Sequence, residues 1–305
     1  MPWLFVDLVD ACNLHCQTCI RGRRYMSNSP GIMPLDLFRK IITKAKAEGY
    51  EVFGPYSWTE PFLNNRLPEY LRMAKELGFT CWLSSNLSFQ DKQEIIKQSL
   101  PYLDLFVVSV SGSTQKIYEI NHKGGRLDFV KANLEFISSL PHNKVVLRLI
   151  KFDYNAQEEA PLRNYAESLG LDFESITGAW HPYNNLDFYI ESVYLDRLKA
   201  PEKHYEGICY FISEHISLDF KGDIYPCCHV PYYPALKIGN YLNMTPERIL
   251  KNRFNHPICN SCENRMTKSI NITPSQINAL NAPEFTLLHR ILKSRYIQQA
   301  SRFFR

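Results

Sequence analysis

Over its first 180 residues the chain alternates short, apolar, β-rich runs with segments of helical period, and nothing else in it constrains the fold as tightly. Strand-like runs lie at Trp3 to Val9, Tyr50 to Gly54, Phe79 to Ser84, Leu105 to Val110, Val145 to Lys151 and Leu171 to Ile176. Between them, Leu35, Phe38, Ile41 and Ile42 mark a helix closed by Gly49, and Leu67, Tyr70, Leu71, Ala74 and Leu77 mark another closed by Gly78. Further helices are expected over Asp91 to Ser99, Leu127 to Leu140 and Gln157 to Gly170. Six strands interleaved with five helices predict an α/β fold whose parallel sheet is built from right-handed βα units. Such a sheet is doubly wound or closes toward a barrel, and either way sites form at the carboxyl ends of its strands.

A cysteine cluster stands at the first of those ends. Cys12, Cys16 and Cys19 follow the first run in Ala-Cys-Asn-Leu-His-Cys-Gln-Thr-Cys, a C-x3-C-x2-C spacing. Three thiolates this close can converge on one small cluster, and three ligands leave one iron of a 4Fe-4S cubane open to a cofactor or substrate. A closed zinc site completed by a histidine such as His15 is the alternative that the spacing leaves standing. The chain has nine cysteines in 305 residues and is long enough to bury a core without disulfides, so metal ligands or reactive thiols in a reducing compartment are expected. No run approaches the roughly 18 apolar residues of a membrane helix. Met1 to Asp10 holds two aspartates and no basic residue where a signal peptide would be positive, so a soluble cytoplasmic protein without a transmembrane segment is expected.

A second constellation occupies the last third. Cys209 precedes Asp219-Phe220-Lys221-Gly222-Asp223-Ile224-Tyr225-Pro226-Cys227-Cys228, and Cys259-Asn260-Ser261-Cys262 follows. The Gly-Asp and Pro positions fit a hairpin that would present Cys209 and Cys227 at one end of a small sheet, with the Cys259-x2-Cys262 knuckle closing a four-thiolate site. Four thiolates suit either a fully ligated 4Fe-4S cluster or structural zinc. Cys228 adjoins a ligand and is an alternative ligand, a hydrogen-atom donor or an inert thiol, while Cys81 lies in the third strand and reads as core. The net charge of +4 conceals an asymmetry, since Met266 to Arg305 holds six basic residues against Glu284 alone and the other 265 residues sum to −1. Leu287, Leu288, Ile291 and Leu292 give that tail an amphipathic helical period, which reads first as a docking helix on its own domain.

The C-x3-C-x2-C loop after the first strand resembles the signature of the radical S-adenosylmethionine (SAM) enzymes, and the likeness extends across roughly the first 180 residues. Gly54-Pro55-Tyr56-Ser57-Trp58-Thr59-Glu60-Pro61 is similar to the Gly-Gly-Glu-Pro segment of that family, which implies that Glu60 meets the SAM amino group through a charge-assisted hydrogen bond. Ser84-Ser85-Asn86 resembles a Thr-Asn-Gly stretch, which implies cofactor contacts for Ser85 and Asn86. Val108-Ser109-Val110-Ser111-Gly112 stands where relatives commonly show Ser-x-Asp-Gly; Ser109 is then expected to face the SAM ribose or carboxylate, and Ser111 is a departure. His122 is a second departure, at a position that often carries arginine, and reads as a surface or capping residue. Arg148, inside an apolar run, needs an anion. The resemblance implies the SAM carboxylate for it, and a salt bridge within the barrel is the alternative.

The order Cys, Gly-x4-Cys, Cys-x2-Cys resembles the auxiliary-cluster extension known as SPASM in its long form and twitch in its short one; with no cysteine after Cys262, the short form fits. The resemblance implies a partial (β/α)6 TIM-like barrel over 1–190, a small α+β auxiliary-cluster domain over 191–265 held by Cys209, Cys227, Cys259 and Cys262, and a helical tail over 266–305. It further implies that an electron from a flavodoxin- or ferredoxin-like reductant, entering at Cys12, Cys16 and Cys19, cleaves SAM to methionine and a 5′-deoxyadenosyl radical that takes a hydrogen atom from substrate. The second cluster would accept the remaining electron, giving a two-electron oxidation. Because the barrel begins at residue 3, leaving no room for a leader-binding module, a small molecule such as an aminocyclitol, sugar or nucleoside ranks first. A ribosomal-peptide maturase is second, and an epimerase with Cys228 as hydrogen donor is third. A non-catalytic zinc or nucleic-acid binding protein would explain the cysteines and the tail, but it leaves the strand–helix alternation, Glu60 and Arg148 without a reason, so no nucleic-acid partner is expected.

Overall fold

A computed structural model of the chain describes residues 2–16, 18–19, 31–177, 210–228, 232, 236–254 and 256. Cys209, Cys259, Cys262, the expected boundaries at 190 and 265, and the basic tail 266–305 lie outside the described residues. Strands form where the alternation predicts them: β1 (Trp3–Val6), β2 (Val52–Gly54), β3 (Thr80–Ser85), β4 (Leu105–Val110), β5 (Lys144–Lys151) and β6 (Asp172–Thr177). The helices between them are α1 (Leu35–Ala47), α2 (Leu67–Glu76), α3 (Gln93–Ser99), α4 (Gln115–Asn121), α5 (Leu127–Ser138) and α6 (Glu159–Ser168). Five of these were expected. α4 is additional to them; its start is fixed by Thr114, whose hydroxyl caps the Ile117 N–H.

All six strands pair in parallel in sequence order. One face of each strand joins the helices: Leu4, Phe53, Leu83, Phe106 and Leu147 are buried with Phe38, Ile41, Leu71 and Leu134 in a single apolar core. The other face lines the inside of the curved sheet with Trp3, Phe5, Trp82, Ser84, Ser109, Arg148 and Glu174. On β3 the two faces alternate strictly between half-buried and buried. The amino end of this lumen is plugged by aromatic rings, with Trp3 edge-on to Trp82 at 4.3 Å and stacked on His215 at 5.1 Å.

β1 is shorter than the apolar run Trp3 to Val9 predicts. Beyond Val6 the chain turns to other partners, for the Asp7 N–H bonds the Leu218 carbonyl at 2.9 Å and Val9 forms an isolated antiparallel bridge with Ile32. The expected hairpin does form, from β7 (His215–Leu218), β8 (Asp223–Ile224) and β9 (Gly239–Asn240). Its turn is fixed by Asp219, whose carboxylate accepts from the Lys221 and Asp223 N–H groups at 2.9 and 3.0 Å, and by Gly222 at φ +76°. Instead of making a small sheet of its own, it continues the main one. β7 pairs in parallel with the outer edge of β1, so the strand order is β6-β5-β4-β3-β2-β1-β7-β8-β9.

Burial explains that placement, since Ile216 and Leu218 are fully buried and belong to the same core as β1. The hairpin is flanked by α7 (Tyr210–Ser213) and α8 (Pro246–Phe254). Tyr241, also fully buried, donates its hydroxyl to Glu48 at the end of α1, where Lys44 pairs with the same carboxylate. Among the described residues no helix is long and apolar enough to cross a membrane.

If the hairpin is part of the main core, Ile216→Ala should cost as much as Leu147→Ala, roughly 2–5 kcal/mol each, in one cooperative transition. Urea unfolding followed by circular dichroism measures both. A separate early transition confined to the Ile216 variant would refute the shared core.

Candidate cofactor-binding site

The cysteine loop leaves β1 at the carboxyl end of the sheet and is held by polar contacts from three directions. From β2's side, the Glu60 N–H donates to the Ala11 carbonyl at 3.0 Å. From β3's side, the Asn86 amide donates to Asn13 Oδ1 at 3.0 Å and reaches the Cys12 sulfur at 3.9 Å, while the Asn13 amide donates to the Ser88 carbonyl at 2.7 Å. From the end of α4, the Lys123 carbonyl accepts the His15 N–H at 2.9 Å, and Asn121 Oδ1 accepts the Thr18 N–H at 3.3 Å and its hydroxyl at 2.9 Å. Thr18 lies between Cys16 and Cys19, so Asn121 sets the position of the second half of the motif. Asp7, at the end of β1, orders the loop after β2 in the same way. Its carboxylate accepts from the Ser57 and Trp58 N–H groups at 2.8 and 2.9 Å and from the Thr59 hydroxyl at 2.7 Å.

Cys12, Cys16 and Cys19 are partly exposed. Burial pushes the Cys16 thiol well above its ordinary value, and Cys19 and then Cys12 push it further, as thiolates sharing one neighbourhood must. Among the described residues no three His, Cys, Asp or Glu side chains are close enough to hold a metal ion, so the loop gathers the thiols without closing them on one another. The donor set fits a cluster with one open iron better than closed zinc. His15, which a zinc site would recruit, is exposed and lies against Gly124, its Cδ2 3.7 Å from where a Cβ would stand there.

Glu60 is buried, with 2% of its surface exposed, and its carboxylate accepts from the Ser85 hydroxyl at 2.7 Å, the Asn86 N–H at 2.9 Å and the Phe62 N–H at 3.2 Å. These partners are internal, so Glu60 fastens the end of β3 to the loop after β2. Ser85 is thereby bonded to Glu60 as well as accepting the Leu87 N–H at 3.0 Å. Leu87 follows at φ +50°, a strained conformation for a branched residue, held by Asn133, which donates to the Leu87 and Phe89 carbonyls at 2.9 and 2.7 Å. Ser109 faces the lumen with its Oγ 3.5 Å from that of Ser84.

Arg148 has its anion within the sheet. It lies opposite Glu174 in the β5–β6 register, and its Nε donates to that carboxylate. The pair lies near Tyr56, whose hydroxyl is pushed up to about 12 by burial, with Arg148 opposing and Cys228 and Glu174 adding. Cys228 is partly exposed and close enough to Tyr56 to act on its hydroxyl; Cys227 is buried. Cys81 is core, as expected, its thiol pushed up to about 12 by burial.

His122 is not a surface residue. It caps α4 from a buried position, stacks on Tyr118 at 4.8 Å and meets the Ser111 hydroxyl at 2.6 Å through Nδ1. The two departures from the radical SAM pattern therefore touch each other. Sequence reasoning missed Asp7 and Asn121; the only trace either leaves is a carboxylate on the lumen parity of an apolar strand and a polar residue before Gly124-Gly125.

Burial outweighs the three donors at Glu60 and raises its carboxyl from 4.5 to about 7. Its contribution to stability is therefore full below about 4.5 and is lost as pH rises through about 7, on the order of 3 kcal/mol. His122 and His215, lowered by burial to about 4 and about 3, have the opposite sign. Subtraction isolates Glu60: in urea unfolding of the metal-free chain at pH 5 and pH 8, Glu60→Gln should lose this limb. An unchanged pH dependence in the variant would show that the assigned ionisation is wrong.

No family model matches the chain. Among curated proteins it is 22% identical over 179 residues to the tungsten-containing aldehyde ferredoxin oxidoreductase cofactor-modifying protein of Pyrococcus furiosus, covering 56% of this chain and 50% of that one. It is 28% identical over 131 residues to an S-adenosylmethionine-dependent nucleotide dehydratase of Lacinutrix mariniflava, covering 41% of this chain and 26% of that one. The matches thus span half or less of these relatives. Among solved structures, Streptococcus suis SuiB bound to its precursor peptide SuiA superposes with a TM-score of 0.61 at 15% identity, over 87% of this chain and 70% of that one. BtrN in complex with AdoMet and 2-DOIA superposes with a TM-score of 0.51 at 13% identity, over 90% of this chain and 95% of that one. The parallel sheet with three cysteines beyond its first strand accordingly shares the partial (β/α)6 barrel fold of these solved structures.

Proposed function

We propose that the chain is a radical SAM enzyme that oxidises a small polar molecule such as an aminocyclitol, sugar or nucleoside by two electrons. The observation that carries this reading is the placement of three cysteines on one braced loop at the carboxyl end of β1, above a lumen plugged at its other end. Cys12, Cys16 and Cys19 would hold a 4Fe-4S cluster with one open iron, which would supply the chemistry of reductive SAM cleavage.

The chain's own residues do the positioning. Asn121 and Lys123 fix the loop, and the Asn86 amide lies against the Cys12 sulfur. Asp7 and Glu60 order the two backbone segments beside it. Trp3, Trp82 and His215 exclude water from the closed end. Arg148, Glu174, Ser84, Ser109 and Tyr56 offer paired donors and acceptors to substrate hydroxyl or amine groups. Cys209, Cys227, Cys259 and Cys262 would hold the second 4Fe-4S cluster as electron acceptor, and a flavodoxin- or ferredoxin-like protein would be the reductant.

The likeness to BtrN over nearly its whole length supports a small-molecule substrate. A second reading, maturation of a ribosomal peptide, is favoured by the higher TM-score to the SuiB–SuiA complex.

Two variants test the proposal in anaerobically reconstituted protein with SAM and a chemical reductant. Cys16→Ala should abolish 5′-deoxyadenosine formation, and persistence of that product would place the cofactor elsewhere. Cys262→Ala should retain uncoupled SAM cleavage while iron falls from about eight to about four per chain. Undiminished iron in that variant would remove the second cluster and, with it, the oxidative outcome.

A further inference from the structure

Tyr118 lies in the middle of α4 and is fully buried, yet its phenol hydroxyl makes no hydrogen bond among the described residues. A buried hydroxyl left without a partner is destabilising, so its place in a packed interior implies an acceptor that a bound group brings. Everything else about the residue is fixed. Its carbonyl accepts the Ser111 hydroxyl at 3.1 Å and the His122 N–H at 3.0 Å, and its ring stacks on His122 at 4.8 Å. A Cβ at Gly125 would stand 2.8 Å from both Cε1 and the phenol oxygen, so any side chain there would displace the ring from its present position.

The segment that confines this hydroxyl is the one that seats the cysteine loop. The His15 N–H donates to the Lys123 carbonyl at 2.9 Å, and the His15 ring covers Gly124, next to Gly125. Thr18 is held by Asn121 Oδ1 at 3.3 Å through its N–H and at 2.9 Å through its hydroxyl. Cys16 stands between these two anchors, beside the pocket that ends at the phenol oxygen. Electrostatics agrees with that direction: after burial, Cys16 is the strongest influence raising the Tyr118 hydroxyl, with Glu60 and Cys12 adding less.

The polar groups already present near the phenol are engaged elsewhere. Glu60 accepts from Ser85, Asn86 and Phe62, and the Ser88 hydroxyl accepts the Arg126 N–H at 2.7 Å. A phenol is protonated at neutral pH and arrives as a donor, and a thiolate ligand offers the sulfur acceptor it lacks.

We propose that the Tyr118 hydroxyl donates a hydrogen bond to the Cys16 sulfur when Cys12, Cys16 and Cys19 hold their iron–sulfur cluster. This rests on the reading above that these three cysteines are the cluster ligands. A donor to a ligand sulfur stabilises the more negative, reduced form, so Tyr118 raises the reduction potential of the cluster.

The test is Tyr118→Phe in the full chain, which keeps the ring and its stack on His122 and removes one oxygen. In urea unfolding of the metal-free chain the variant should be as stable as wild type or more so, because the hydroxyl it loses has no internal partner. In reconstituted protein, a redox titration follows the electron paramagnetic resonance signal that the Cys12/Cys16/Cys19 triple-alanine variant lacks. At the potential where wild type is half reduced, the reduced-to-oxidised ratio should fall about 10-fold in Tyr118→Phe, with iron content unchanged. A ratio unchanged or raised would overturn the proposal. So would a clear loss of stability in the metal-free variant, which would give the hydroxyl a structural partner inside the chain. If wild type shows no signal that the triple variant lacks, the cluster reading itself fails, whatever Tyr118→Phe does, and the proposal falls with it.

Discussion

The carboxyl end of this sheet depends on one buried carboxylate. Burying an acid is tolerable only when its oxygens are answered, and Glu60 is answered by three donors from two segments while its own N–H reaches the cysteine loop. The loop after β2, the end of β3 and the C-x3-C-x2-C motif are thereby locked to a common reference. The strain at Leu87 follows from this arrangement. The chain must turn sharply after Asn86 to present its backbone N–H to Glu60 and its amide to Cys12, and Asn133 holds the turn from below.

How far the sequence could be read depends on what kind of information periodicity carries. Strand and helix positions follow from which residues are apolar, and a largely buried parallel strand such as β4 announces itself through Leu105 to Val110 alone. The cysteine motif was legible because three chemically exceptional residues lie close together in the chain. What periodicity cannot report is which atom answers a given charge. Arg148 plainly needed an anion, but that the anion is Glu174 depends on a register between two strands. The pairing of β7 with β1 was illegible for the same reason, since an unpaired edge leaves no mark on either segment's composition.

That pairing matters for how the last third relates to the barrel. With β7 seated against β1, the Leu218 carbonyl receives the Asp7 N–H, and the same aspartate orders the loop before Glu60. Cys227 and Cys228 come nine and ten residues after Leu218, the last residue of β7, across a span closed by the Asp219 turn, so their position is referred to the same strand that presents Cys12. Among the described residues, the loop bearing Cys12 and the segment bearing Cys227 and Cys228 are therefore tied through adjacent strands of a single sheet.

The neutral pair Ser111–His122 shows how the chain keeps this geometry while departing from the radical SAM pattern. Asn121 and Lys123, which grip the cysteine loop, flank His122 directly, so the placement of that imidazole sets theirs. Where relatives commonly carry an aspartate and often an arginine, an ion pair at this depth would have to recover the desolvation of two charges. Serine and histidine avoid that cost. Burial lowers the imidazole to about 4, it is neutral at pH 7, and one short hydrogen bond with a nearly coplanar stack on Tyr118 at 2° fixes its orientation. Neither substitution is favourable alone, because aspartate opposite a neutral histidine, or serine opposite arginine, would leave a buried charge unanswered. Ser111 and His122 thus act as one physical unit, and the backbone on either side of that imidazole braces the cysteine loop.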